Sequence, residues 1–383
     1  MRLRTLPIFL AFLVMGVADA MGPLADAVRA QYELSNVVST LLTFFVFIAF
    51  AAFSVPGGLL AARIGKKKLL LLALGLNIVA VAVPSLRAPS FGLLLGCIFV
   101  LGVGTTFLQV AGNPIMRDVS EPGAYARNLS FAQFIKGVGS SGSSWLVGLA
   151  AALPLLGAMG WRGVFPVFLA LMVLAFLAVA ALPIQEAKAD EPPSLGSSLA
   201  LLKEPVFAAA VLGIFLYVGA EVCMARFLKP VLTAQGFDDA KAALFGPTAF
   251  FAALTVGRLV GSAVLMRMSA PSFFRLSAVL GLLGPLAALS LGHAGAIIAP
   301  ALAGLGFANI WPLLFAITVE RRPERASELS GLMCMAIAGG ALIPLLMGRI
   351  ADGAGLRMAF AVPVICFAYL VFLAARPASK LEA

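Results

Sequence analysis

Charge is what this chain has least of. Asp, Glu, Lys and Arg make up 11% of its 383 residues, against about 25% in a soluble domain. So few cannot cover a water-facing surface, and a large soluble domain is excluded. Histidine occurs once, at His293, and the four cysteines (Cys97, Cys223, Cys334, Cys366) follow no metal or disulfide spacing. With no His/Cys cluster, no Ser/His/Asp set and no phosphate-binding glycine loop, neither an enzyme, a resident metal nor a cofactor is expected. What fills the chain is apolar, 62% hydrophobic with a mean hydropathy of +1.05.

Apolar runs long enough to cross a roughly 30 Å hydrocarbon layer recur along the whole length. We place twelve spans, at 6–26, 36–62, 69–87, 91–116, 127–153, 163–183, 205–230, 243–267, 273–291, 294–319, 327–348 and 357–376. The expected fold is an all-α membrane protein. Gln185–Lys203, with Glu186, Lys188, Asp190, Glu191, Pro192 and Pro193, reads as a solvated linker. The expected organisation is a six-helix bundle over 1–184, the linker over 185–203 and a second six-helix bundle over 204–383.

The net charge of +10 follows from topology and does not indicate a nucleic-acid partner. Basic residues gather at alternate span ends, as in Arg63, Lys66, Lys67 and Lys68, or Arg321, Arg322 and Arg325. The positive-inside rule then puts both termini in the cytoplasm of a bacterial-type inner membrane. The first segment also has the look of a cleavable signal peptide, with Ala18-Asp19-Ala20 as the small-residue site. It is read as span 1 because it has a counterpart in the second half.

At one offset Ala18-Asp19 matches Ala220-Glu221, Gly102-Val103-Gly104 matches Gly304-Leu305-Gly306, and Gln109 matches Trp311. After a small slip Leu129-Ser130 meets Leu329-Ser330. Parallel repeats of this kind build transporters whose solute binds near the midplane. Small residues in spans 4, 5 and 11, including Gly102, Gly104, Gly139 and Gly339-Gly340, mark places where helices come close.

A mid-membrane charge costs roughly 2.5–3.5 kcal/mol on insertion scales, so those kept in the spans point to function. Asp19 and Glu221, at matched repeat positions, are the expected cation-coupling carboxylates, for H⁺ or for Na⁺ as hard oxygen donors. The pairings Asp19 with Lys136 and Glu221 with Arg226 are the structural alternative. Gln109 and Asn113 share a face of span 4, and with Asn128 and Gln133 they supply the donors and acceptors a polyhydroxylated solute needs. Tyr217, Trp311 and Asn309 join the candidate set, aromatic faces suiting a sugar. Pro114 and Pro312 are expected to kink spans 4 and 10 and free carbonyls.

These residues resemble the fucose–proton symporter family of the major facilitator superfamily. The likeness rests on Gln109-Val-Ala-Gly-Asn113-Pro114, Asn128-Leu-Ser-Phe-Ala-Gln133, Tyr217-Val-Gly-Ala-Glu221-Val, Val256-Gly-Arg258 and Ser330-Gly-Leu-Met-Cys-Met-Ala-Ile-Ala-Gly-Gly340. It implies two pseudo-symmetric six-helix bundles, alternating-access uptake of a monosaccharide driven by H⁺ or Na⁺, and a monomer. There are departures. Gln109 stands where the symporters carry an acid, and Asp19 lies about one turn before their span 1 acid. The superfamily loop signature Gly-x-x-x-Asp-Arg-x-Gly-Arg-Lys appears as Gly58-Leu-Leu-Ala-Ala62-Arg63-Ile-Gly65-Lys66-Lys67, its acid replaced by Ala62. Lys136 and Arg226 are added cations, which opens a rival reading as a carrier of sugar acids or carboxylates. A drug or solute efflux antiporter is a further alternative.

Overall fold

The computed structural model describes residues 5–17, 21–35, 38, 41–184, 186, 193–290 and 292–376. Asp19 lies outside the described residues, and so does most of the charged part of the linker. Among the described residues ten helices are long and apolar enough to cross a membrane. They correspond to spans 2–4 and 6–12. Span 5 is one helix, Tyr125–Ala152, and span 1 is represented by Leu6–Met15 and Met21–Gln31. Helices dominate for a physical reason: in hydrocarbon every backbone N–H and C=O must find its partner within the segment.

Several ends differ from the sequence expectation. Spans 2 and 3, Leu41–Ile64 and Lys66–Leu86, are joined by Gly65 alone, whose φ of +96° suits glycine. Lys66, read above as a surface charge, is buried and pairs with Asp118 at 2.5 Å. Span 8 begins with a short helix, Asp239–Ala243, and passes through a π turn at Leu244–Thr248 around Pro247 before Ala249–Val264. Span 11 runs as Ala326–Met335, a 3₁₀ turn Ala336–Ala338, then Gly339–Ala354.

The two prolines act differently. Span 4 stays one helix, Phe91–Val119, through Pro114. Span 10 breaks at Ala308-Asn309 into Gly292–Phe307 and Ile310–Arg321. Each proline lacks the N–H that would bond the carbonyl four residues back. Side chains take both freed carbonyls: Ser330 Oγ donates to Val110 O at 2.7 Å, and Arg258 Nε donates to Ala308 O at 3.3 Å. The expected release of carbonyls therefore occurs, but both are already satisfied. Ser330→Ala strands the buried Val110 carbonyl and is expected to lower stability by about 1 kcal/mol, read as a fall in melting temperature in detergent.

The chain forms two compact units. The first comprises Met1–Pro122, Ile135–Ser198 and Pro323–Met335, the second Gly123–Phe134, Leu199–Arg322 and Ala336–Ala383. Spans 5 and 11 thus contribute one part to each. In the first unit Gly102 packs on span 2 at Val46 and Ala49, and Gly104 packs on span 3 at Asn77. In the second unit Gly304 packs on span 8 at Phe250 and Leu254, and Gly306 packs on span 9 at Gly281. The same repetition holds for the broken spans. Gly139 of span 5 lies against the Leu13 carbonyl of span 1, and Gly339 of span 11 against the Phe215 carbonyl of span 7. The internal match read from sequence is therefore also a match of packing partners.

One end of the first unit is clasped by charge. The Glu186 carboxylate accepts from the Lys66 and Lys67 backbone amides, at 2.5 and 2.9 Å, and so caps span 3. Lys67 Nζ donates to the Ala180 and Leu182 carbonyls at the close of span 6. Glu328 accepts from Arg325 at 2.7 and 2.8 Å and from Ser198 Oγ at 2.8 Å. Gly58 and Gly331 allow spans 2 and 11 to meet backbone to backbone there, with the Gly58 position facing Ser327 O and Gly331 facing Ser54 O. With Ala62 in place of the signature acid, these contacts and the Lys66–Asp118 pair serve that end of the unit.

Candidate functional site

In the first unit the site residues lie on spans 4 and 5. Gln109 and Asn113 are both buried, one turn apart on span 4. Lys136, half-buried on span 5, donates from Nζ to Gln109 Oε1 at 3.3 Å. Asn113 Nδ2 lies 4.0 Å from Cys334 Sγ. The pairing of Lys136 with Asp19 falls outside the described residues. Among those described, the hydrogen-bond partner of the ammonium is a neutral amide.

Asn77 was not singled out in the sequence. It is fully buried on span 3, and neither its Oδ1 nor its Nδ2 has a hydrogen-bond partner in the structure. It occupies the space a side chain at Gly104 would need. A lone asparagine within Leu74-Gly75-Leu76-Asn77-Ile78-Val79 was the available signal. Buried polar groups are paired in the great majority of cases, so this amide is a notable exception.

In the second unit Tyr217 and Glu221 share a face of span 7, and the Tyr217 hydroxyl donates to Glu221 Oε2. Arg258 of span 8 also reaches Tyr217. Besides its bond to Ala308 O, Arg258 sends Nη1 to the Gln133 carbonyl at 3.5 Å. Tyr217, Glu221, Arg258 and the Gln133 backbone thus form one cluster, and Arg258 is its hub. The sequence resemblance had flagged Val256-Gly-Arg258 without giving the arginine this place.

Asn309 is wedged against Gly257 and Gly261 of span 8, with Nδ2 donating to Gly257 O at 2.8 Å. Its side chain holds the span 10 break to span 8, while its Oδ1 is buried without a hydrogen-bond partner among the described residues. Trp311 is buried beside Phe315, and its Nε1 has no hydrogen-bond partner in the structure. Gln133 Nε2 is in the same condition. Asn128, near the start of span 5, accepts from Arg127 Nε at 3.4 Å.

Arg226 stands apart. It is exposed, and no ion pair joins it to Glu221 among the described residues. At 3.6 residues per turn it lies roughly 140° around span 7 from Glu221 and roughly 180° from Tyr217. The sequence had treated it as a neighbour because it counted positions along the chain and not around the helix.

The sequence pattern of the major facilitator superfamily matches residues 8–333. This chain belongs to the major facilitator superfamily. It is an integral membrane transporter and not an enzyme. The chain is 30% identical over 357 residues to a glucose/galactose transporter of Brucella abortus, covering 89% of this chain and 85% of that one. An L-fucose-proton symporter of Haemophilus influenzae is 22% identical, covering 93% and 92%. A crystal structure of the Escherichia coli fucose:proton symporter superposes with a TM-score of 0.83 at 20% identity, covering 97% of this chain and 98% of that one. The last likeness is one of fold.

Proposed function

We propose that this transporter takes up a sugar or sugar-like solute by symport with H⁺. One observation carries the reading: three buried polar atoms of the second unit, Gln133 Nε2, Asn309 Oδ1 and Trp311 Nε1, have no hydrogen-bond partner among the described residues. Two donors and an acceptor of this kind suit the hydroxyls of a sugar, and the indole face suits its C–H surface. The relation to a glucose/galactose transporter agrees with that chemistry. Gln109 and Asn113 supply the buried amides of the first unit.

The coupling proton belongs on Glu221. As a carboxylate it accepts from Tyr217, and protonation removes the charge and weakens that bond. Arg258, which reaches Tyr217, completes the cluster beside that carboxylate. Solute and proton together must stabilise a state that neither stabilises alone, because a ligand shifts a conformational equilibrium only by its differential affinity. Asp19 is proposed as the matching acid in the first half. Two functional halves, 1–184 and 204–383, with both termini in the cytoplasm of the inner membrane, complete the reading. The direct test is uptake into proteoliposomes under an imposed H⁺ or Na⁺ gradient, with glucose, galactose and fucose offered in turn. Accumulation driven by a Na⁺ gradient alone would overturn the proton assignment.

Trp311→Phe separates binding from packing. It removes an N–H that nothing among the described residues uses, so the melting temperature should hold or rise. If the indole donates to the solute, KM should rise about tenfold, the worth of one hydrogen bond of about 1.4 kcal/mol.

A second reading has support from Lys136, whose described hydrogen-bond partner is neutral. A cation held by an amide suits a carboxylate-bearing solute such as a hexuronate. In that case Lys136→Gln abolishes hexuronate counterflow and leaves neutral hexoses inactive throughout. If hexose uptake survives in both the parent and the variant, the neutral-sugar reading stands.

A further inference from the structure

Arg258 makes bonds that end on three other spans. Asn309 Nδ2 donates to Gly257 O at 2.8 Å, and Arg258 Nε donates back to Ala308 O at 3.3 Å. Adjacent residues of spans 8 and 10 thus clamp one another, and glycine is needed at 257 because a Cβ there would crowd the Ala308 methyl. The clamp fixes the root of the guanidinium. Beyond it, Nη1 donates to the Gln133 carbonyl of span 5 at 3.5 Å, and the guanidinium also bonds the Tyr217 hydroxyl of span 7. All of these residues lie in the second unit.

Donors run one way along the chain of side chains, from Arg258 to Tyr217 and from Tyr217 to Glu221. The other two bonds end on backbone that carries the buried polar atoms offered to a solute. Gln133 bears one, Asn309 follows Ala308 directly, and Trp311 comes three residues after it. Capping one freed carbonyl needs a single donor, as Ser330 supplies for Val110. A planar fork with five N–H groups suits a junction between several partners.

We infer that Arg258 is the positioning residue through which protonation of Glu221 alters the solute residues Gln133, Asn309 and Trp311. This link rests on the proton-symport reading and deepens it. Ionised Glu221 accepts from Tyr217, which leaves the phenol oxygen to accept from Arg258. Protonated Glu221, having taken its proton from water, can donate its own O–H to that oxygen. The guanidinium then loosens from the phenol and leans on the Gln133 and Ala308 carbonyls, since hydrogen bonds in a chain polarise one another. By reciprocity, a bound solute raises the proton affinity of Glu221 by the factor by which the proton raises solute affinity.

Among the described residues few other ionisable groups belong to the elements packed here. Span 7 adds Cys223, with Cys366 of span 12 near it, and Arg226 on another side of the helix. Spans 10 and 11 carry no Asp, Glu, Lys, Arg or His over 294–319 and 329–348, and Cys334 is the one thiol there. Lys136, three residues beyond Gln133 on span 5, is bonded to Gln109.

The test is calorimetric titration of the purified full-length protein with glucose, galactose and fucose in turn. It is run in steps from about pH 4.5 to about pH 8.5, which bracket the range a carboxyl covers in proteins. The parent should bind its sugar about tenfold more tightly at the acid end, a usual size for coupling. Arg258→Lys keeps the charge and a donor for Ala308 O but loses the fork. Tyr217→Phe cuts the chain in the middle and spares both carbonyl bonds. Each should flatten the ratio to less than about twofold, as should Glu221→Gln. An arginine that only props the helices would lower the melting temperature in Arg258→Lys and leave the ratio alone. A parental ratio in either Arg258→Lys or Tyr217→Phe therefore overturns the link while symport stands, and one in Glu221→Gln overturns it by placing the proton elsewhere. If Arg258→Lys does not fold, Tyr217→Phe decides. A parent without pH dependence, or without binding of any of the three sugars, overturns the link; if proton-driven uptake is absent too, the symport reading falls with it.

Discussion

Glu221→Gln should abolish concentrative uptake while leaving exchange intact. A membrane potential of 100 mV is worth about 2.3 kcal/mol per charge carried, and at about 1.4 kcal/mol per decade this allows roughly 40-fold accumulation. A symporter moving one proton with a neutral solute can reach that ratio. The glutamine keeps the shape of the side chain and still accepts from the Tyr217 hydroxyl, but it cannot load or release a proton. The expected result in proteoliposomes is a fall from roughly 40-fold to no accumulation at 100 mV, with counterflow of labelled solute preserved. Full gradient-driven accumulation by the variant would remove Glu221 from the coupling step. Arg258→Met should differ from it, since it strands the Ala308 carbonyl and loses stability as well as coupling.

The second large effect is structural. A Cβ at Gly139 would sit well inside van der Waals contact of the Leu13 carbonyl, and one at Gly339 would do the same with the Phe215 carbonyl. Backbone cannot give way as a flexible side chain can, so the helices would have to separate. Overpacking of this kind costs about 1–3 kcal/mol or more, and in hydrocarbon close packing is a main force holding helices together. Gly139→Ala and Gly339→Ala should therefore each lower the melting temperature sharply, and each leucine variant should fail to accumulate as folded protein. Gly96→Ala, where a Cβ meets nothing within 4 Å, should be neutral or stabilising, because alanine is the better helix former. Equal melting temperatures for Gly96→Ala and Gly139→Ala would show that these contacts do not limit stability.

Much of the fold was legible because the bilayer leaves few choices. Long apolar runs have to be helices, and the glycines that set helix approach announced themselves as a repeat before their partners were known. Pro114 and Pro312 were legible as places where carbonyls lose a donor. That Ser330 and Arg258 would supply replacements was not, because the residues that meet are far apart in sequence. Lys66 shows the same limit: counting basic residues placed it at the membrane surface, whereas its partner Asp118 draws it into a buried pair. Arg226 was misjudged through angle, Asn309 through its division between a structural bond and a free oxygen, and Asn77 because one amide among leucines looks incidental until its burial is seen. Tyr217 and Glu221 could be joined from spacing alone, since residues four apart share a helix face.

The paired contacts at Gly139 and Gly339 also bear on ancestry. Leu13 and Phe215 differ as side chains, yet each offers its carbonyl to a glycine at the corresponding place in its own half. What persisted is a backbone distance, kept while the side chains around it diverged. A gene encoding six helices, copied once and fused to itself, would leave this trace: the constraint was inherited in duplicate, and each copy has since been free to choose its own chemistry everywhere except where the chain has no room.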